Sequence, residues 1–216
     1  MSMDASFTIS EQMLNDLRER VRPMMSDKRY AHTCAVERMV VRLGELYCPE
    51  QLPELRAAAL LHDITKQETL EKQLQLCEKF GIMVAAGDRL SPKTFHAKTA
   101  AAMISHDFKE FATDTVISAV RWHTTGRPGM RLTEQLLYLA DYIDDTRTFV
   151  DCVRLRELFF HADVAAMSQE ERIHHLEDVL ILSFDMTVRA LLDDGALIST
   201  DTMEARNDLL IRRAAR

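Results

Sequence analysis

The stretch Leu55–Lys66, LRAAALLHDITK, constrains this chain more than any other. An apolar helix through Ala57, Ala58, Ala59, Leu60 and Leu61 ends by presenting His62 and Asp63 side by side, two metal-capable groups at the tip of a greasy segment. Burying such a pair is unfavourable unless both members find partners. Adjacent residues on a helix point about 100° apart, so the pair cannot chelate one ion alone. His32, His96, His123 and Asp141 each lie inside or at the end of another helical pattern. A helical bundle brings such dispersed side chains together in its core.

The composition agrees with an all-α fold. Six glycines and five prolines in 216 residues leave few turn-makers, while Ala, Leu, Met, Glu and Arg are abundant. With 47% hydrophobic and 28% charged residues, the chain is ordinary for a globular protein and too apolar for a disordered one. The length suits one sizeable core, so residues 1–216 are expected as a single domain. No apolar run is long enough to span a bilayer, and MSMDASFTIS lacks the regions of a signal peptide; a cytoplasmic location with no membrane partner is expected. The scattered Cys34, Cys48, Cys77 and Cys152 are expected as reduced thiols. A net charge of −7 argues against nucleic acid as a partner.

Periodicity and capping signals place the helices. Thr8 with Glu11 predicts the first, carried by Met13, Leu14, Leu17 and Val21 and stopped at Pro23. Residues 28–48 form the second, with His32 on its apolar face, and Pro53 opens the helix that leads to His62. Leu70 to Phe80 follow, closed by Gly81. Residues 82–92 read as a loop before the helix carrying His96, and Thr113 or Asp114 caps the one ending at His123. After the turn-rich TTGRPGM, Thr133 is expected to cap the helix bearing Asp141. Residues 151–161, a long helix capped by Ser168 and Glu171 that runs to Gly195, and a last helix opened by Asp201 and Glu204 complete the chain.

Four histidines and two aspartates make a mixed N and O ligand set, suited to iron, manganese, cobalt, nickel or zinc rather than calcium or magnesium. Six ligands are too many for one catalytic ion and too few to saturate two. A two-metal site bridged by Asp63 is the economical reading, with open positions for water and a phosphoryl group. Lys66, one turn beyond His62, is placed to meet phosphate oxygens or the bridging carboxylate. Arg127, in the loop after His123, is placed to clamp a second phosphate. His106, His161, His174 and His175 fall outside this pattern and read as structural or surface residues.

The order His32, His62-Asp63, Asp141 resembles the signature of the HD-domain phosphohydrolases. The segments KRYAHT, LLHDITK, FHA, RWHTTGRPGM, LYLADYI and MEARN, in that order, resemble the bacterial YqeK family over roughly residues 28–210. That family is described as hydrolysing diadenosine tetraphosphate symmetrically to two ADP at a di-iron centre. The resemblance implies that His32, His62, Asp63 and Asp141 hold one ion, and Asp63, His96 and His123 the other. It also implies that Asp63 and Lys66 serve catalysis and that Lys66, Thr124, Arg127 and Arg147 bind a dinucleoside polyphosphate or nucleotide. Residues 28–147 would form the metal-binding core, residues 148–216 would pack on it, and a homodimer would be the default assembly. One departure stands out: YIDDTR replaces a turn of the type YIEPGR, keeping Arg147, offering Asp144 for the longer acid and adding the charge of Asp145 beside the pocket. Rival readings are another HD-type nucleotide phosphohydrolase or phosphodiesterase, and a non-catalytic nucleotide-binding regulator.

Overall fold

A computed structural model describes residues 8–85 and 87–216, so the expectation about the first seven residues lies outside it. The described residues form α-helices joined by turns and short 3-10 segments, without a strand among them. The helices are α1 (Glu11–Val21), α2 (Asp27–Tyr47), α3 (Leu52–Leu61), α4 (Leu70–Lys79), α5 (Phe95–Asp107), α6 (Asp114–Trp122), α7 (Leu132–Ile143), α8 (Val150–His161), α9 (Gln169–Asp193) and α10 (Thr200–Ala214).

The starts of the helices are written locally. Ser26, Thr69 and Thr113 sit in extended backbone and accept from the amide three residues on, satisfying one of the donors that a helix N-terminus leaves open. Ser168 and Glu171 form the expected reciprocal cap of α9. Three expected caps are displaced. Ser10 rather than Thr8 caps α1, because Ser10 holds the extended backbone and its hydroxyl accepts from Met13 N–H at 3.2 Å. Ser199 precedes α10, two residues before Asp201. α7 begins at Leu132, so Thr133 is already inside the helix and buried; the Glu134 carboxylate instead accepts from Arg131 N–H at 3.1 Å.

α3 is the centre of the packing. It contacts α1, α2, α6 and α7, and Leu55 together with every residue from Ala57 to Leu61 is buried. A helix apolar on all sides has to be surrounded, and the three consecutive alanines let its neighbours approach closely. Arg56 alone breaks the run, turning outward to ion-pair with Glu37 and Glu11. α5 packs on α6 and α4, while α8, α9 and α10 stack in succession behind α7. One cluster of buried apolar side chains runs from Ile9 to Leu209, with Leu210 packed at its margin. All four cysteines are free. No helix among the described residues is long and apolar enough to cross a membrane.

Candidate metal centre

His32 lies in the second turn of α2, His62 and Asp63 immediately follow α3, His96 is in the first turn of α5, His123 immediately follows α6, and Asp141 is near the end of α7. The packing of α3 against α2, α6 and α7, and of α5 against α6, brings all six together. Apart from Asp141, which is half-buried, all are buried.

The two oxygens of Asp63 face different partners. Oδ2 lies 3.3 Å from His62 Nε2 and 3.7 Å from His32 Nε2, whereas Oδ1 lies 3.3 Å from His96 Nε2 and 3.7 Å from His123 Nε2. Asp141 Oδ1 joins the first set, 2.9 Å from His32 Nε2 and 3.8 Å from His62 Nε2. Among the described residues two groups are compact enough to hold an ion: His32, His62 and Asp141, and His62, Asp63 and His123. His62 belongs to both, which the sequence did not indicate. His96 reaches the second group through His123, the two Nε2 atoms being 3.0 Å apart.

The imidazoles are oriented by short-range chemistry. His62, His96 and His123 each place Nδ1 within 2.7–2.8 Å of the carbonyl three residues earlier, of Ala59, Lys93 and Val120. A carbonyl only accepts, so Nδ1 carries the proton and Nε2 turns a bare lone pair inward, the arrangement by which metal-binding histidines are held. His32 is oriented by a carboxylate, its Nδ1 lying 3.2 Å from Asp144 Oδ2. Asp144 is fully buried and also accepts from Thr146 N–H at 2.9 Å. Asp145, expected to charge the pocket, is exposed and faces Arg42 at 4.0 Å.

This donor set fits cations. His62 Nε2 and Asp63 Oδ1 are buried with no hydrogen-bond partner, and such atoms are unfavourable unless something occupies the space between them. Burial and the Lys66 ammonium push His96 down to about 3, and burial also depresses His123, so their facing lone pairs at 3.0 Å have no proton to share. A cation between the two rings would relieve that contact. Burial alone would raise Asp63, but the imidazoles around it outweigh this and hold its carboxyl well below the usual range. His32 goes the other way: burial opposes its charge, yet hydrogen bonds to Asp141 and Asp144 raise it to about 9. A proton can therefore stand where a cation would sit between His32 and Asp141.

Two arginines enter the cluster. Arg29, one turn before His32 on α2, places Nη1 2.7 Å from Asp63 Oδ2. Its one signal in the sequence is the i, i+3 spacing within KRYAHT, which puts it on the same face as His32. Arg147 donates to Asp141 Oδ1 at 2.6 Å and to the Asp141 carbonyl at 3.0 Å. Lys66 Nζ is 3.0 Å from His96 Nε2, and Thr124 Oγ1 is 3.2 Å from both His96 Nε2 and His123 Nε2. Arg127 is elsewhere engaged, holding the fully buried Glu134 bidentately at 2.9 and 3.0 Å. Arg127→Ala is therefore expected to lower stability by about 1–3 kcal/mol, less than a fully buried pair because the guanidinium is partly exposed. Urea unfolding and KM together check this: unchanged stability with a large rise in KM would return Arg127 to the phosphate-binding role that its loop suggested.

A family model described as the HD domain matches residues 29–146, a span that contains the four histidines and two aspartates of the cluster. The chain belongs to the HD-domain family. Within that family it is similar to the symmetrical bis(5'-nucleosyl)-tetraphosphatase of Halalkalibacterium halodurans, 29% identical over 196 residues, covering 89% of this chain and 95% of that protein. The enzyme of the same description from Staphylococcus aureus is 30% identical over 139 residues, covering 63% of this chain and 69% of the relative. A crystal structure from Clostridium acetobutylicum, of a protein described as a predicted HD superfamily hydrolase involved in NAD metabolism, superposes with a TM-score of 0.78 at 28% identity. It covers 92% of this HD-domain chain, and this chain covers 97% of it. The α8–α10 region beyond residue 146 is thus shared with such relatives as well.

Proposed function

We propose that this HD-domain protein hydrolyses diadenosine tetraphosphate symmetrically, giving two ADP, at a pair of metal ions, with iron the favoured metal and manganese, cobalt, nickel or zinc the alternatives. The observation that carries the reading is the division of the Asp63 carboxylate, one oxygen toward His32 and His62 and the other toward His96 and His123. In it, His32, His62, Asp63 and Asp141 hold one ion, and Asp63, His96 and His123 the other, with His62 near both. Two ions so held would lower the pKa of a water and neutralise the phosphoryl oxygens during in-line attack.

The remaining side chains position the substrate. Arg29, His32 and Arg147 line a cavity of about 490 Å³ together with Lys28, Thr146 and Phe149. Three cations at one mouth suit a polyphosphate, and they supply local attraction in a chain of net charge −7. Arg29 and Arg147 are held in place by Asp63 and Asp141, so their guanidiniums are already oriented before a phosphate arrives. Lys66, half-buried and with its ammonium form disfavoured by burial, stands beside His96 where a phosphate oxygen or leaving group would be met. Thr124 offers a hydroxyl at the same end.

Protein purified without air is expected to carry about two metal ions per chain and to release two equivalents of ADP from diadenosine tetraphosphate. Stripping it with a chelator should abolish turnover and lower Tm by several degrees, because ions that bind only the folded state stabilise it. AMP plus ATP as products would overturn the symmetrical assignment, and hydrolysis that survives complete metal removal would overturn the metal mechanism.

A further inference from the structure

We propose that Gln73 is a positioning residue for the metal centre: it clamps the turn carrying Asp63 and Lys66 to the helix carrying His96, and so fixes the gap between the Asp63 carboxylate and the second pair of imidazoles. It rests on the two-ion reading above and adds the side chain that holds one half of the centre against the other. The backbone has need of such a clamp. α3 ends at Leu61, and residues 62–67 continue as successive turns. Their own bonds are few: Ile64 N–H to the Leu61 carbonyl at 3.4 Å, Lys66 N–H to Asp63 at 3.0 Å and Glu68 N–H to Thr65 at 3.2 Å. His96 belongs to α5, which packs on α6 and α4. A turn so lightly tied does not by itself keep Asp63 Oδ1 3.3 Å from His96 Nε2.

Gln73 reaches across from α4, a helix that carries no residue of the cluster and buries only Gln73, Leu76 and Cys77 among its ten. Its Nε2 donates to the Thr65 carbonyl at 2.5 Å, and its Oε1 accepts from Thr99 Oγ1–H at 2.6 Å. A carbonyl only accepts, so the orientation of this amide is fixed by its partners. Thr65 Oγ1 in turn donates to the His96 carbonyl at 3.1 Å and lies 2.9 Å from Thr99 Oγ1. Thr65, Gln73 and Thr99 are all buried, and together they join the turn, α4 and α5. The Thr65 carbonyl shares a planar peptide unit with the Lys66 amide, so the same bond sets the direction from which Lys66 Nζ reaches His96 Nε2 at 3.0 Å. An apolar side chain would fill this space without needing partners. Loss of Gln73 would orphan neither neighbour, because the Thr65 carbonyl keeps Glu68 N–H and Thr99 Oγ1 can turn to the Phe95 carbonyl at 3.2 Å. Its contribution is therefore weighted toward position rather than stability.

The test uses Gln73→Leu, close in size and unable to hydrogen-bond, and Thr99→Val, which removes one arm of the clamp. Manganese(II) alone, titrated into metal-free full-length protein, is expected to bind the wild type at two sites per chain. Gln73→Leu should keep one site and weaken the other about 10–100-fold, with little change in Tm. Its kcat for diadenosine tetraphosphate should fall at limiting manganese and return at excess, with KM unchanged. Thr99→Val should weaken the same ion, and the double variant should be no worse than Gln73→Leu, because the two side chains act through one chain of bonds. Two ions held as tightly in Gln73→Leu as in the wild type, whatever its Tm, would overturn the clamp and leave the two-ion reading standing. A wild type that takes up fewer than two ions would overturn that reading, and amide hydrogen exchange then judges the clamp alone. Faster exchange at Lys66 and Glu68 in metal-free Gln73→Leu, with α3 and α7 unchanged, would uphold it, and an unchanged pattern would overturn it.

Discussion

Asp63→Ala is expected to remove both metal ions and at least about 10³-fold of kcat/KM, a loss of about 4 kcal/mol in transition-state stabilisation. The size of the effect follows from geometry, since among the described residues no other carboxylate is positioned between the two imidazole pairs: of the imidazoles, Asp141 Oδ1 reaches His32 and His62 alone. His96 and His123 would be left as two neutral rings with no anionic partner. Asp63→Asn separates charge from shape. It keeps the volume but replaces one oxygen with an amide donor that cannot ligate, so one end of the centre should empty before the other. Elemental analysis alongside single-turnover product formation checks both variants. Full activity in Asp63→Ala at unchanged metal content would sink the two-ion reading.

The second large effect is expected at Gly126, between His123 and Arg127. Its φ of +67° lies in the left-handed region, and an added Cβ would come within 2.7 Å of Phe184 Cζ and 3.0 Å of Ala205 Cβ. Placing an L side chain there costs about 1–2 kcal/mol in backbone energy alone. Overpacking adds about 1–3 kcal/mol, because Phe184 is fully buried in the core and α10 brings Ala205 against the same spot. Gly126→Ala should thus lose about 2–5 kcal/mol, a fall in Tm of about 5–15 °C for a chain of this size. Thermal unfolding measures it. The loss should extend to function, as His123 and Thr124 precede Gly126 in the same turn and shift with it. A variant with wild-type Tm would show that the turn relaxes freely and that α9 and α10 do not brace the centre.

Most of the helices were readable one by one because their signals are local. The i, i+4 and i, i+7 spacing of apolar residues marked α2, α6 and α9, and the stops at Gly81 and Gly195 have the positive φ that a glycine supplies. Where expectation and structure part, the difference lies in backbone conformation at a boundary. Thr8 and Ser10 are both capable caps, and Thr133 has the right side chain in the wrong place, because the start of α7 is decided by Glu134, which accepts from Arg131 N–H and pairs with Arg127 seven residues earlier.

The sequence by itself determined that the chain is helical, that four histidines and two aspartates sit on inward faces or helix ends, and that the segments around them are those of an HD domain. Those are properties of residue type and of spacing within a few turns. Only the tertiary structure decided which oxygen of Asp63 meets which imidazoles, that Arg29 pairs with Asp63, that Asp144 orients His32, and that Arg127 belongs to Glu134. Each of these is a distance between side chains on different helices or their connecting turns. Such distances are set by how α2, α5, α6 and α7 close around α3, which depends on the packing of the whole core and is written in no single stretch of it.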